Sequence, residues 1–150
     1  RCAKIADGEA FWHRMGDVGY LDEVGRIWFC GRKGHRVITR EATLYTVPCE
    51  AILNEHPDVL RSALVGVGVS RYDQRPVVVV EPVPGRFPAT ASEEETLRKS
   101  LLDLAVTSST TEGIEHVLFH RAFPVDIRHN AKIRRDVLAE WAAKRVPPTQ

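Results

Sequence analysis

A lysine, an aspartate and an arginine occupy positions where chemistry is easier to picture than packing. Lys132 follows Asn130, a residue type that caps helices, and sits among Ile133, Val137, Leu138 and Trp141, which recur at helical spacing. The pattern predicts a helix with Lys132 in its first turn, where the macrodipole is positive and a cation costs a few tenths to about 1 kcal/mol. Arg128, Arg134 and Arg135 crowd the same end. Such a cluster makes sense where a phosphate or carboxylate is delivered to it. On charge pattern alone, a solvated basic surface is the plainer account.

Asp17, beside Gly16, could present a carboxylate that accepts two hydroxyl hydrogen bonds, as a ribose diol would offer. Arg32 could reach a phosphate or a ring oxygen nearby. Taken singly, each is also an ordinary residue at a strand end. Gly34, in Lys33-Gly34-His35, has the φ/ψ freedom of a pivot between two rigid pieces. A simple connecting turn accounts for it as well.

Other chemistries are poorly supplied. The six histidines (His13, His35, His56, His116, His120 and His129) do not fall at metal-ligand spacings, so no metal site is expected. There is no Gly-x-Ser-x-Gly elbow, Gly66-Val67-Gly68 lacks the third glycine of a dinucleotide fingerprint, and no Walker lysine loop occurs. Among 150 residues, 21 basic and 20 acidic side chains give a formal charge of +1, which provides no global field for nucleic acid or an anionic membrane. Cys2, Cys30 and Cys49 are odd in number and form no CxxC, so a reduced, cytoplasmic setting is expected. No apolar run is long enough to span a membrane. The abrupt start at Arg1 suggests a piece of something longer.

The elements that must position these groups are legible in outline. Gly19-Tyr20-Leu21 and Arg26 to Cys30 flank Asp22-Glu23-Val24-Gly25, a hairpin signal that puts Asp17 at the entrance of its first strand and Arg32 just beyond its second. A second hairpin runs from Arg36–Thr39 to Thr43–Thr46. Pro48 opens a short helix reaching Glu55, with Ile52 and Leu53 facing in. Ser62–Val67 and Pro76–Glu81 are apolar runs suited to neighbouring buried strands, and Val117-Leu118-Phe119 is a further strand. Ser92 with Glu95 makes a capping box for a helix to about Val106. Residues 1–11 show no clear period and are expected to be poorly ordered. The fold class is α+β: a small three-stranded sheet flanked by helices, preceded by β-hairpins.

In combination these motifs resemble the carboxy-terminal portion of the adenylate-forming superfamily, which comprises acyl-CoA synthetases, nonribosomal peptide adenylation domains and luciferases. His13-Arg14-Met15-Gly16-Asp17-Val18 resembles the family's Tyr-Arg-Thr-Gly-Asp-Leu motif, which implies that Asp17 holds the AMP ribose. Gly31-Arg32 resembles the start of the next motif, implying that Arg32 contacts nucleotide and that Gly34 is the hinge, where the family commonly has Asp or Lys. Pro48-Cys49-Glu50 resembles the Pro-x-Glu that opens the following helix. Pro124 to Lys132 is similar to the final motif, whose lysine bridges carboxylate and α-phosphate during adenylation. The resemblance implies that residues 1–33 end an N-terminal domain and lead to the hinge, and that 34–150 form a mobile C-terminal domain.

Thioester-forming members often carry a glycine-rich turn where this chain has Thr39 to Tyr45 without glycine. The wording of His35-Arg36-Val37, Leu44 to Glu50, Arg61 to Gly68 and Arg128 to Ile133 is most similar to the β-lactone synthetase branch of bacterial olefin biosynthesis. That similarity implies ATP and Mg²⁺ as cofactors, with the metal ligand upstream, and a long-chain β-hydroxy acid closing on its own acyl-AMP. The implied partners are the acid, the upstream domain of the same chain and other olefin-pathway enzymes. The 150 residues alone are expected to be inactive. An AMP-forming fatty acyl-CoA synthetase and a noncatalytic interaction module remain the alternatives.

Overall fold

The computed structural model describes residues 4–127 and 129–147. Its centre is a three-stranded sheet of β7 (Val59–Ser70), β8 (Asp73–Pro82) and β9 (His116–Phe119). β7 and β8 are antiparallel, with Leu64 opposite Val78 and Val65 opposite Val77. β9 runs parallel to β8. A parallel neighbour needs a crossover, and helix α2 (Ala91–Ala105) supplies it.

The strict two-residue period of these strands sorts the core onto two faces. Leu64, Val78, Val80, Val117 and Phe119 point one way, against Cys49 and Leu53 of helix α1 (Thr46–Leu53) and against Leu101 and Ala105 of α2. Ala63, Val65, Val67, Val77 and Val79 point the other way, against Leu138 and Ala142 of helix α3 (Arg135–Ala143). Burying each Leu or Val of this kind contributes roughly 1.5–3 kcal/mol, so both helix layers are anchored through the sheet. No described helix is long and apolar enough to cross a membrane.

The hairpins precede this body. β3 (Asp17–Leu21) pairs with β4 (Ile27–Arg32), and β5 (Val37–Ile38) pairs with β6 (Thr43–Leu44), as the turn signals predict. The first turn closes with Gly25 at φ +79°, a conformation that favours glycine. The Asp22 carboxylate accepts the amides of Val24 and Arg26. β5 and β6 join the body through Val37 and Leu44, both buried in the first core face.

Four expectations need correction. Lys4–Asp7 (β1) and Ala10–His13 (β2) form an antiparallel hairpin where residues 1–11 offered no period; its side chains are exposed, so no core face left a pattern to read. Helix α2 is capped two residues earlier than the Ser92/Glu95 box. Thr90 Oγ1 accepts the Glu93 amide, and the Glu93 carboxylate reaches back to the Ala89 amide.

Lys132 is not in a helix. It lies in β11 (His129–Ile133), antiparallel to β10 (Val125–Asp126), and Asn130 is a strand residue rather than a cap. α3 starts only at Arg135. Val137, placed by its period on the inner face, is 39% exposed. The local spacing fits a longer helix, but pairing with Val125 and Asp126 holds 129–133 extended.

Candidate functional site

Strand register brings the first two candidates together. Asp17 stands directly opposite Arg32 across β3 and β4, with its Oδ1 3.1 Å from the Arg32 Nε. Arg32 also donates from Nη1 to the Met15 carbonyl at 2.9 Å, and the Lys33 amide donates to the Gly16 carbonyl at 2.8 Å. The loop before β3 is thereby tied to the end of β4.

Gly31, the residue before Arg32, is buried and has φ +112°; a Cβ there would lie 2.3 Å from Thr46 Oγ1. Its glycine is required on both counts, and the close approach seats β4 on the start of α1. Gly34 is different. Its φ is not positive and a Cβ would meet nothing within 4 Å. It sits in a turn closed by the His35 amide donating to the Arg32 carbonyl at 3.0 Å.

Arg32 and Lys132 line one open cleft of about 550 Å³, with Phe29, His35, Thr46 and Arg135 among its walls. A second cleft of similar size lies beyond, and there Lys132 and His35 meet Gly34, Gln74 and Asp136. Asp17 lines neither; it stands behind Arg32. Three of the four sequence candidates (Arg32, Gly34 and Lys132) thus border connected space, with Asp17 attached through its ion pair.

The charge balance explains what the space attracts. Thr46 and Val47, which line the first cleft, belong to the first turn of α1, a turn with no acidic residue and no side-chain cap, so the positive dipole end of the helix lies at the cleft. Arg134 is bound by Asp136, which holds that carboxyl down at about 2 mainly through the arginine's own hydrogen bonds. Arg135 is bound by Glu50. Lys132 is exposed and has no ion-pair partner among the described residues. Together with Arg32, it makes the cleft suited to an anion.

Two contributors escaped the sequence reading. His35 borders both clefts, and its imidazole is pushed below the ordinary 6.5, first by burial and then by Arg135, Arg32 and Lys132. The second is the Glu50–Arg135 pair, which joins residues 85 apart. No local pattern reveals it. The excess of cations around Lys132, which suggests a delivered anion or a solvated surface, does not point to an acid from within the chain.

No family model matches the chain. It is 51% identical over 142 residues to the olefin β-lactone synthetase of Xanthomonas campestris pv. campestris, covering 94% of this chain and 25% of that protein. It is 37% identical over 84 residues to the indoleacetate–CoA ligase of Aromatoleum aromaticum, covering 56% of this chain and 16% of the relative. Among solved structures, it shares the fold of an anthranilate CoA ligase in complex with anthranoyl-AMP. The TM-score is 0.73 at 23% identity, over 89% of this chain and 25% of that one. The chain therefore spans about a quarter of the length of the synthetase it matches.

Proposed function

The chain belongs to the superfamily of adenylate-forming enzymes, and from that premise we propose that it is the mobile carboxy-terminal part of an ATP-dependent β-lactone synthetase acting on a long-chain β-hydroxy acid. The observation that carries this reading is the electropositive cleft in which Lys132 and Arg32 meet the start of α1. The 51% identity to an olefin β-lactone synthetase over nearly the whole chain supports the choice of branch.

In this reading Lys132 neutralises charge that develops between carboxylate and α-phosphate as pyrophosphate leaves. A preorganised cation aimed at that charge needs no reorganisation at the moment of reaction. Asp17 accepts the ribose hydroxyls, and Arg32 contacts the nucleotide from the same strand pair. Mg²⁺ would offset phosphate charge, through ligands upstream of residue 1. Once acyl-AMP has formed, the substrate's own β-hydroxyl attacks the acyl carbon. The carbon–oxygen bond to AMP breaks, the hydroxyl proton is lost, and a four-membered lactone closes without a thiol.

Residues 1–33 then belong to the upstream domain, and 34–150 turn about Gly34. Gly34 has open space around it and an unremarkable φ here, so the conformation seen does not account for a glycine at this position. A second conformation reached by rotation would. The placement of Lys132 on a short strand beyond the hinge means that such a rotation would carry it toward or away from the nucleotide.

Lys132→Ala in the full-length protein is expected to abolish acid-dependent ATP–pyrophosphate exchange with the fold intact; unchanged exchange would remove the lysine from this role. The 37% identity to a CoA ligase supports a second reading, thioester formation. Supplying CoA with ATP and the β-hydroxy acid separates the two: lactone supports the first, acyl-CoA the second.

A further inference from the structure

We propose that the Glu50–Arg135 pair is a positioning device for Lys132, holding the lysine's strand in the geometry that adenylation requires. The inference rests on the reading of Lys132 given above. Arg135 Nη2 donates to Glu50 Oε2 at 2.8 Å, and Nη1 donates both to Glu50 Oε1 and, at 3.2 Å, to the Leu64 carbonyl. Glu50 Oε1 in turn accepts the Leu64 amide at 2.8 Å. Helix α1, strand β7 and the first residue of α3 are thereby locked to one another.

The lock sits at the junction of β11 and α3, between Ile133, which packs on the second core face, and Leu138, which is buried in it. Helix α3 begins at Arg135 with no side-chain cap. Lys132 lies three residues earlier, on a strand that among the described residues pairs only with the two residues of β10. The Arg134 amide donates to the Pro124 carbonyl at 2.8 Å, which holds one edge of the junction. On the other edge, the fork of Arg135 supplies the only charged anchor among the described residues. The pair is mostly enclosed, with side chains 16% and 12% exposed, and a bidentate arginine fixes orientation as well as distance. An ammonium displaced by about 1 Å can cost about 100-fold in rate.

A purely structural clamp would affect both half-reactions, whereas a positioning clamp affects only the one that uses Lys132. In the full-length protein, Glu50→Gln keeps an acceptor for the Leu64 amide but removes the charge, and Arg135→Lys keeps a charge but removes the fork. Both are expected to lower kcat for ATP–pyrophosphate exchange by about 100-fold while leaving KM for ATP within about twofold. Lactone release from a supplied 3-hydroxyhexadecanoyl adenylate is expected to stay near the parent rate. Loss of both half-reactions in proportion would overturn the proposal in favour of a structural clamp, and unchanged exchange would overturn it outright. Lys132→Ala assayed alongside separates the two levels: if it leaves exchange intact, the reading of Lys132 fails; if it abolishes exchange while the clamp variants do not, the positioning role alone fails.

Discussion

Asp17 and Arg32 face each other across one hairpin, carboxylate to guanidinium at 3.1 Å, so the two proposed nucleotide contacts are held in register by a strand pair. Both side chains keep substantial exposure, at 35% and 55%, so the pair contributes at most about 1 kcal/mol to folding. Arg32→Ala in the full-length protein should therefore leave the thermal midpoint nearly unchanged. If the guanidinium contacts nucleotide, losing one charge-assisted hydrogen bond of about 1.5 kcal/mol weakens ATP binding about tenfold. Calorimetric titration with ATP checks this, and equal affinities would place Arg32 outside the site. Asp17→Ala tests the ribose contact in the same way.

Gly31 is the least replaceable glycine of the site. Gly31→Ala imposes a positive φ on a residue with a side chain, costing about 1–3 kcal/mol, and drives a methyl into Thr46 Oγ1. Overpacking adds about 1–3 kcal/mol. Denaturant titration should show a loss of roughly 2–6 kcal/mol as the sum of the two. Adding Thr46→Ala should recover the packing part only.

His35 reports on the charge of the cleft. Its folded pKa lies below 6.5 because burial and the cations Arg135, Arg32 and Lys132 disfavour imidazolium, with Asp136 opposing them. The unfolded chain then takes up this proton first as pH falls. Stability from this group rises with pH between the depressed folded value and 6.5, and is constant above. Lys132→Ala removes one cation and should raise the His35 pKa, read from its imidazole proton shifts. No movement would mean that Lys132 does not share the space with His35.

Asp22 sets an acid limit for the β3–β4 hairpin. Its carboxyl is held down at about 2, foremost by the Trp28 indole donating at 2.9 Å and then by the Arg26 amide and guanidinium and the Val24 amide. A depressed folded pKa means that the contribution is present above the ordinary 3.8 and is lost as pH falls through about 2. The Trp28 indole N–H resonance should titrate with a midpoint near 2, and Asp22→Asn should abolish that titration. A midpoint near 3.8 would show that the hydrogen bond is absent in solution.

The sequence by itself determined what depends on near neighbours and on period. Asp22 to Gly25 turns a hairpin because an aspartate can hold the amides two and four residues on and a glycine can take positive φ. The apolar runs at 62–67 and 76–81 become adjacent strands because alternation fills both faces of a sheet at once. The motif order from Asp17 to Lys132 was enough to identify the superfamily.

Only the tertiary structure decided where Lys132 sits and what holds it there. Ile133, Val137 and Trp141 carry helical spacing, but two residues of β10 capture 129–133 as a strand, and local periodicity cannot register a pairing partner. Nor could spacing reveal that Arg135, apparently one more cation in a basic cluster, is neutralised by Glu50 from 85 residues away. A carboxylate and a guanidinium attract through space, so a pair made by folding leaves no trace in chain distance.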